Sequence, residues 1–538
     1  ADFLKKQDFL KGSVILIASA IIAKVIGAFF KIPLTNTLGG TGMGYFSSAY
    51  GLFLPVYAVT VTGLTTAIAK QVAEQSAFGQ YRNVRRIKNI SLLLFSVIGL
   101  IGSLFIGLLS KPFAISTMND KQAFVCIMLI APSVLFGCIM SVYRGYYEGL
   151  KNMYPTAVSQ LIEALVKLFC GLGLCLYTAE NPWVLEYFPQ GTELVTACSA
   201  MAVLGITLSS FAGMFFLIIR DKFGGDGISK SMIENDKTVM PRKTILRQMF
   251  SVLIPVSVGS LVTNLTSLTD LLTIMKCLER TVERFPQYFA ENFMPTGISP
   301  TEFPNFVYGS FNGLAITVFN LVPSITNMFG KGVIPSVAEA HAEKNIEKLA
   351  ENSRSALKAT AFIAVPSGLG MCFLSRQILL FLYPSRTAEI LVSYRSLSFL
   401  GIAVILLCLS FPVFSMLQAV GRADLPVKIM LVGVVVKLAG NLVLVPVPEI
   451  NVSGASISTT LCYAVILVLS LVCFVRETGV KLHIAKIFLP VAYSSVLCTV
   501  SAVLCNNLTS ATLGNSLSLI LSVGCGGIIY LVSMFLLR

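Results

Sequence analysis

Long apolar stretches alternate with short polar connectors along the chain, and this pattern predicts helices that cross a membrane. A transmembrane helix needs about 20 consecutive, mostly apolar residues. Fourteen stretches meet this requirement: 9–33, 43–69, 89–110, 122–147, 155–178, 191–219, 246–275, 305–333, 356–375, 389–418, 426–446, 452–475, 484–505 and 513–537. The pattern therefore predicts an all-α polytopic membrane protein with 14 transmembrane helices.

The composition supports this prediction. Of the 538 residues, 55% are hydrophobic and only 12% are charged, whereas about a quarter are charged in a typical soluble domain. No clear small-residue cleavage site follows the first apolar stretch, so we expect a retained helix rather than a signal peptide. The 13 cysteines are scattered through apolar stretches without a C-x-x-C spacing, and we expect neither disulfides nor a metal site.

Positive charge is concentrated in alternate connectors. The chain has 40 Lys and Arg against 26 Asp and Glu, a formal net charge of +14. Most of these cations share one side of the membrane when the N-terminus is placed inside, and connectors rich in Lys and Arg stay in the cytoplasm. The charge therefore predicts that both termini are cytoplasmic, and no nucleic-acid partner is needed to explain it.

Two short motifs recur in the same order. The tripeptide VAE follows the second and eighth spans, at 72–74 and 337–339, and a stretch running from proline to V-K-L occurs at 155–168 and 426–438. Six spans separate the copies, so both halves share an orientation and are related by an axis along the membrane normal. The predicted domains are an N-lobe (1–220), a cytoplasmic linker (221–245), a C-lobe (246–480) and two further helices (481–538).

The fifth span carries an ionisable stripe on an otherwise apolar helix. Gln160, Glu163 and Lys167 are spaced by three and four residues, so they lie on one face of the helix. A carboxylate and an ammonium four residues apart can neutralise each other as a structural pair. Charge deep in a membrane also marks substrate pathways. The stripe alone leaves both interpretations open.

Other intramembrane cations favour a pathway. Lys24 lies inside the first span, and Lys437 has the position in the second repeat that Lys167 has in the first. In repeats of this kind the substrate site lies near the midplane between the lobes. A site with this excess of cations favours an anion, particularly a phosphate. The candidates for contacting the anion or lining its cavity are Lys24, Lys31, Arg144, Glu163, Lys167 and Lys437.

Further polar residues are candidates for the same cavity, although hydrogen bonding between helices is the alternative interpretation for them. They are Gln160, Asn264, Asn312, Asn320 and Asn441. Asp270 and Glu163 are acids that could couple transport to Na⁺ or H⁺, with a salt bridge to a lysine as the alternative. Transport would otherwise depend on the membrane potential. We expect no cofactor and no catalytic or metal motif, because His341 and His483 both fall in connectors.

Two segments carry a family resemblance: YRGYYEGLKNMYPTAVSQLIEALVKL (143–168) and VYGSFNGLAITVFNLVPSITNMFGKGVIPSVAEA (307–340). They resemble the multidrug/oligosaccharidyl-lipid/polysaccharide (MOP) exporter superfamily, in its polysaccharide-biosynthesis and stage V sporulation protein B-like branch, which is related to the MurJ lipid II flippases. The resemblance implies a monomeric flippase of the bacterial plasma membrane. Its implied substrate is an undecaprenyl-pyrophosphate-linked saccharide such as the peptidoglycan precursor lipid II, moved to the outer leaflet by alternating access.

The resemblance also implies residue roles. Lys24 begins the pattern of a basic residue, two apolar residues and glycine, so it inherits the role of a phosphate-contacting cation, and Lys31 corresponds most nearly to a second one. The chain departs from MurJ relatives at 310–313, where the neutral run SFNG replaces an arginine. Lys167 and Lys437 would compensate for that loss. The two additional C-terminal spans imply a groove for the lipid tail.

Two other functions stay open. An ion-coupled exporter of drugs or organic cations has the same fold but needs a negatively charged cavity. A membrane-embedded glycosyltransferase or acyltransferase needs a catalytic acid at an interface, and the loop 276–304, with Glu279, Glu283 and Glu291, is the candidate. A solvated helix is the alternative interpretation of that loop. The balance of charge favours a transporter of an anion and not an enzyme.

Overall fold

The computed structural model describes residues 9–118, 121–229, 232–233, 239–287, 298–482 and 484–537, and over these residues the chain is almost entirely helical. The helices are α1 (Phe9–Tyr57), α2 (Gly63–Ala77), α3 (Tyr81–Met118), α4 (Phe124–Ile130), α5 (Pro132–Gly149), α6 (Tyr154–Val166), α7 (Leu172–Glu180), α8 (Leu194–Gly224), α9 (Arg242–Arg284), α10 (Phe303–Ser310), α11 (Ile316–Phe319), α12 (Leu321–Ala342), α13 (Ile346–Phe373), α14 (Ser375–Leu382), α15 (Thr387–Ala419), α16 (Asp424–Leu444), α17 (Ser453–Thr478) and α18 (Ile484–Leu536). A helix satisfies its own backbone polar groups, which a hydrocarbon environment requires.

The fold class predicted from the apolar stretches is confirmed. Within the described residues, twelve helical stretches are long and apolar enough to cross a membrane. The longest two are Ala18–Ala77, of 60 residues, and Phe488–Leu536, of 49 residues. The backbone leaves the helical conformation at Gly39 in the first and at Gly514 in the second. Each is long enough to cross a bilayer twice, which is consistent with the predicted fourteen spans.

The chain forms two compact units. Unit 1 comprises Ala1–Leu38 and Tyr45–Leu268, and unit 2 comprises Gly39–Gly44 and Thr269–Arg538. Helix α9 therefore contributes its first part to unit 1 and its last part to unit 2. The four-part division into lobes, linker and terminal helices stays a prediction.

Small residues allow close packing of the helices within unit 1. A Cβ atom added to Gly205 of α8 would lie 2.2 Å from the Cα atom of Gly171, and one added to Gly149 of α5 would lie 2.6 Å from the Cβ atom of Val72. Membrane helices associate through such contacts because lipid supplies no hydrophobic driving force between them. Glycine at these positions therefore fixes how the helices of unit 1 pack.

The short segment Gly39–Gly44 packs inside unit 2 although its flanks belong to unit 1. The backbone N–H of Gly40 donates to Glu389 Oε1 at 3.1 Å, and Asn305 Nδ2 donates to the carbonyl of Thr41 at 3.1 Å. These bonds satisfy polar groups that the kink at Gly39 would otherwise leave unpaired. The segment is thus anchored to α10 and α15.

Gly309 of α10 packs closely against the backbone of the segment Gly39–Gly44. We therefore expect Gly309→Ala to destabilise unit 2. The added Cβ would lie 1.9 Å from the Gly40 carbonyl oxygen and 2.3 Å from the Gly44 nitrogen. Both are backbone atoms, so the segment must shift, which costs about 1–3 kcal/mol. Thermal unfolding in detergent measures the loss. The control is Gly370→Ala, whose Cβ would meet nothing within 4 Å; equal melting temperatures for both variants would contradict the packing argument.

Two half-buried aspartates, one in the last turn of α8 and one just after it, connect helices of unit 1. Lys88 Nζ lies 2.9 Å from Asp221 Oδ1, and Arg85 Nε lies 3.2 Å from Asp226 Oδ2. The hydroxyl of Tyr146 donates to Asp226 Oδ2 at 2.8 Å. Charge-assisted hydrogen bonds of this kind are stronger than neutral ones. They join α3 and α5 to the last turn of α8 and to the residues that follow it.

The Asp226 contacts make the stability of unit 1 depend on pH. Burial alone would raise the pKa of Asp226, but the bonds from Arg85 and Tyr146 lower this pKa below its ordinary value. A depressed pKa contributes stability that is present above the unfolded pKa, about 3.9, and is lost as the pH falls through the folded value. We expect Asp226→Asn to lower the free energy of unfolding at neutral pH by about 1–3 kcal/mol. We also expect the variant to lose less stability than the wild type when the pH falls below about 4.

Thermal unfolding between pH 3 and pH 7 tests this expectation. The matched control is Glu186→Gln, which removes an exposed carboxylate. If Asp226→Asn declines with acid as steeply as the wild type, the carboxylate of Asp226 does not carry the effect.

Candidate functional site

The ionisable stripe of α6 meets Arg144 of α5. Arg144 Nη2 lies 3.0 Å from Glu163 Oε2, and Arg144 Nε donates to Ser159 Oγ at 2.9 Å. The side chains are 12% exposed for Arg144 and 29% exposed for Glu163. Pairing with Lys167 was one of the two interpretations open for Glu163, and the structure instead places its ion pair with an arginine of the preceding helix.

Lys167 is held instead by aromatic rings of α1. Its Nζ donates to the hydroxyl oxygen of Tyr50 at 3.1 Å. The same ammonium lies 5.2 Å from the ring centroid of Phe30 and 5.6 Å from that of Tyr50. Attraction between a cation and ring faces stabilises the charge without neutralising it. Lys167 also begins a π-helical turn, Lys167–Gly171, a feature frequent at functional sites.

Lys31 adds a second ammonium to this cluster. It lies close enough to Lys167 for their positive charges to repel each other. Lys24 is two helical turns earlier on α1 and is exposed. Gln160 faces the same helix, because Ser19 Oγ donates to Gln160 Oε1 at 3.1 Å. Among the candidates that it brings together, unit 1 thus has an excess of positive charge on the facing surfaces of α1 and α6.

Tyr50 and Phe30 were missed by the sequence analysis. They belong to a row of aromatic rings along α1, with centroids 5.0–6.2 Å apart from Phe30 through Phe46, Tyr50 and Phe53 to Tyr57. Aromatic residues at helical spacing in an apolar helix usually indicate packing. The signal that could have identified Tyr50 is its hydroxyl, which needs a polar partner inside a membrane; Phe30 carries no such signal.

Lys437 of α16 lies in a different environment, inside unit 2. Its Nζ lies 2.7 Å from Asp270 Oδ2, and the two side chains are only 6% and 10% exposed. Asn441 Nδ2 donates to Asp270 Oδ1 at 3.0 Å and to Thr273 Oγ1 at 2.8 Å. Both carboxylate oxygens of Asp270 are therefore engaged, and the ammonium of Lys437 is neutralised by its partner.

The remaining amide candidates bond to their own helices. Asn264 Nδ2 donates to the Ser260 carbonyl at 2.8 Å, and Asn312 Nδ2 donates to the Tyr308 carbonyl at 3.1 Å. Asn320 is exposed at the start of α12. Hydrogen bonds one turn back along a helix satisfy an amide in an apolar setting, so these contacts give the first two asparagines a structural role.

The acids proposed for an enzyme are separated from this cluster along the chain. Glu279 and Glu283 lie in the last two turns of α9, and Glu291 and His483 fall outside the described residues. His341 lies in the last turn of α12. In the part of the chain that the structure describes, no group of three or more His, Cys, Asp or Glu side chains is placed to hold a metal ion.

The arrangement suits electrostatic binding rather than bond chemistry. Two lysines within electrostatic reach of each other, beside an arginine–glutamate pair, attract a group with more than one negative charge. The acids predicted to couple ions are each neutralised, Glu163 by Arg144 and Asp270 by Lys437. Such a site accommodates an anion more readily than a second cation.

Comparison with known protein families gives two matches. The family described as "Polysaccharide biosynthesis protein" matches residues 9–341, and the family described as "MatE" matches residues 312–443. The first match covers more than half of the chain and includes α1, α5 and α6.

Two curated relatives from Bacillus subtilis (strain 168) resemble the chain over most of its length. Stage V sporulation protein B is 25% identical over 455 residues, which is 85% of this chain and 81% of that protein. The lipid II flippase MurJ is 22% identical over 483 residues, which is 88% of this chain and 84% of that protein.

Solved structures show the same fold. A lipid II flippase MurJ in an inward closed conformation superposes with a TM-score of 0.69 at 13% identity, covering 97% of this chain and 98% of that one. An inward-facing multidrug resistance transporter of the MATE family, in the MOP superfamily, superposes with a TM-score of 0.60 at 15% identity, covering 84% of this chain and 94% of that one.

Proposed function

The chain belongs to the polysaccharide biosynthesis protein family of the MOP superfamily, and from this premise we propose that it is a flippase for a lipid-linked saccharide whose head group carries a diphosphate. Lipid II, an undecaprenyl-pyrophosphate-linked saccharide, is the proposed substrate. It would move from the inner to the outer leaflet of a bacterial plasma membrane by alternating access. In this proposal both termini are cytoplasmic and the protein works as a monomer.

The observation that carries the proposal is the pair of lysines in unit 1. Lys167 and Lys31 lie within electrostatic reach of each other, and aromatic rings hold Lys167 without neutralising it. Two like charges at intramembrane positions repel each other, and an anion bound between them would offset that repulsion. A diphosphate supplies the required charge. Lys24 extends the cation row along α1, and Arg144 adds a donor beside them.

The second repeat has a different role in this proposal. Lys437 and Asp270 form a neutral, buried pair, which we assign to the structure of unit 2 rather than to the substrate. The long apolar helix α18 provides the surface for the polyprenyl tail, since exposed side chains such as Leu489, Leu508 and Phe535 are 72–78% exposed and suit contact with hydrocarbon.

An exporter of organic cations is the second candidate, because a multidrug resistance transporter of the MATE family shares the fold. It needs a carboxylate that can attract the substrate or a coupling ion. Since Glu163 and Asp270 each have a cationic partner, the described contacts favour the flippase. In this proposal flipping is driven by a gradient of Na⁺ or H⁺ or by the membrane potential. Flipping rates measured with each of these imposed in turn would test which one is used.

Reconstitution into proteoliposomes tests the proposed function. The substrates are fluorescent polyprenyl lipids that carry a diphosphate-linked saccharide, lipid II among them, or a neutral glycoside of equal size. An impermeant reagent that modifies only outer-leaflet head groups measures flipping. We expect transfer of the diphosphate lipids and little transfer of the neutral one. Equal transfer of both, or uptake of a cationic dye in place of either, would reject the proposal.

A further inference from the structure

A separate basic groove lies at the beginning of α3 and α9, within unit 1. It encloses about 850 Å³ and is lined at one end by arginines from both helices. They are Arg82, Arg85, Arg86 and Arg242. None of them belongs to the lysine cluster of α1 and α6, so the proposed flippase site leaves this groove without a function.

The other end of the groove is apolar. Ile90, Leu93 and Val97 follow Arg86 along α3 at spacings of three and four residues and line the cavity, so they form one stripe. Leu93 is 73% exposed and Val97 is 48% exposed. From Arg86 to Val97 a helix rises about 16 Å, close to half of a hydrocarbon core about 30 Å thick. The groove therefore has the polarity and length of one lipid leaflet.

The arginine end combines one ion pair with cations from both helices. Arg85 is held by both carboxylate oxygens of Asp226, at 3.2 Å each. Arg86 is half-buried and Arg242 is exposed on the facing helix. Lys243 and Arg247 of α9 line a second cavity, of about 420 Å³. Guanidinium groups converging from two helices form the planar, multidentate donors that phosphate oxygens accept.

We propose that this groove binds an anionic phospholipid. Its phosphate would lie between Arg86 of α3 and Arg242 of α9, and one acyl chain would follow the stripe from Ile90 to Val97. Basic pockets between membrane helices bind anionic lipid head groups, and the apolar stripe distinguishes a lipid from a free anion. The bound lipid would connect the first turns of α3 and α9, which lie far apart in sequence.

Native mass spectrometry of the full-length protein tests the proposal, with phosphatidylglycerol as the probe and phosphatidylcholine of the same chain length as the comparison. We expect tighter binding of phosphatidylglycerol, and we expect the double variant Arg86→Gln/Arg242→Gln to weaken it about 30-fold. This change corresponds to about 2 kcal/mol, since each cation near a lipid surface contributes about 1 kcal/mol and each tenfold change is about 1.4 kcal/mol.

Two matched variants separate a specific site from general attraction. Arg376→Gln/Arg395→Gln removes two arginines from another cavity, of about 590 Å³ in unit 2, and is expected to leave the selectivity unchanged. Arg86→Lys/Arg242→Lys keeps the charge but lacks the planar guanidinium, so it is expected to bind more tightly than the glutamine variant and less tightly than the wild type. Such an intermediate affinity also shows that the site tolerates substitution. Because head-group selectivity is measured on the wild type as well, poor folding of one variant leaves the test intact.

Three results would overturn the proposal. They are equal binding of the two phospholipids by the wild type, an equal loss in the Arg376/Arg395 variant, and displacement of the lipid by glycerol phosphate at comparable concentration. The first two would indicate ordinary annular lipid. The third would indicate a site for a soluble phosphate. A site for lipid alone predicts that glycerol phosphate competes weakly, because it lacks the chain that contacts α3.

Discussion

Replacing Lys437 by methionine is expected to lower the free energy of unfolding by about 3–5 kcal/mol, because it leaves the carboxylate of Asp270 buried without its counter-ion. The ammonium lies 2.7 Å from Asp270 Oδ2, and both side chains are at most 10% exposed. Asn441 still donates to the other oxygen, but a neutral amide offsets only part of the charge. Equilibrium unfolding in mixed SDS and detergent micelles measures the loss.

A double variant distinguishes the pair from its individual members. Asp270→Asn/Lys437→Met removes both charges, and neutral replacements of a buried ion pair are often tolerated, so it is expected to recover most of the stability lost in Lys437→Met. Lys428→Met on the same helix is the control, since Lys428 is 69% exposed beside Asp424 and surface pairs contribute little. A double variant no more stable than Lys437→Met would show that the pair itself does not explain the loss.

The helical architecture could be predicted from the sequence because it depends on local composition. A stretch of about 20 apolar residues has few alternatives to a membrane helix, and the family resemblance was likewise carried by continuous segments such as 143–168. The kink at Gly39 falls in the predicted connector 34–42, whereas the kink at Gly514 lies two residues beyond the predicted connector 506–512.

The partners of the charged residues could not be predicted in the same way. The four-residue spacing allowed Glu163 to neutralise Lys167. In the structure Glu163 pairs with Arg144 of α5. The ammonium of Lys167 donates to the hydroxyl of Tyr50, 117 positions earlier in the chain. These choices depend on which helices pack together, and periodicity in one helix carries no information about its neighbours. The placement of Gly39–Gly44 in unit 2 is non-local for the same reason.

The two lysines that the repeat pairs by position therefore have different chemical environments. The charge of Lys437 is paired with the carboxylate of Asp270, which also accepts a hydrogen bond from Asn441. The charge of Lys167 is stabilised by a hydroxyl and two rings. A neutralised ammonium stabilises the fold, whereas one that keeps its charge can bind an anion. Equivalent positions in a repeat therefore need not have equivalent functions. We expect a substitution of Lys437 to impair stability and a substitution of Lys167 to impair flipping.

Replacing Lys167 by glutamine is expected to reduce flipping of the diphosphate lipid by about 10- to 100-fold while leaving the protein folded. The variant removes one charged hydrogen-bond donor to the substrate, a loss of about 1.5–3 kcal/mol. It leaves no carboxylate unpaired, since Glu163 keeps Arg144, so the melting temperature should change little. The proteoliposome assay with lipid II measures the rate, and unfolding in the same detergent measures the stability.

Three comparison variants assign the effect to charge at this position. Lys31→Gln is expected to impair flipping in the same direction, because Lys31 directly follows Phe30, whose ring centroid lies 5.2 Å from the Lys167 ammonium. Lys70→Gln, which removes an exposed lysine of the same unit beside Glu74, is expected to flip at the wild-type rate. Tyr50→Phe keeps the ring but removes the hydroxyl that positions Lys167, so a smaller loss is expected. Each of these variants removes one positive charge and adds none. Wild-type flipping by both Lys167→Gln and Lys31→Gln would therefore exclude this cluster as the diphosphate site.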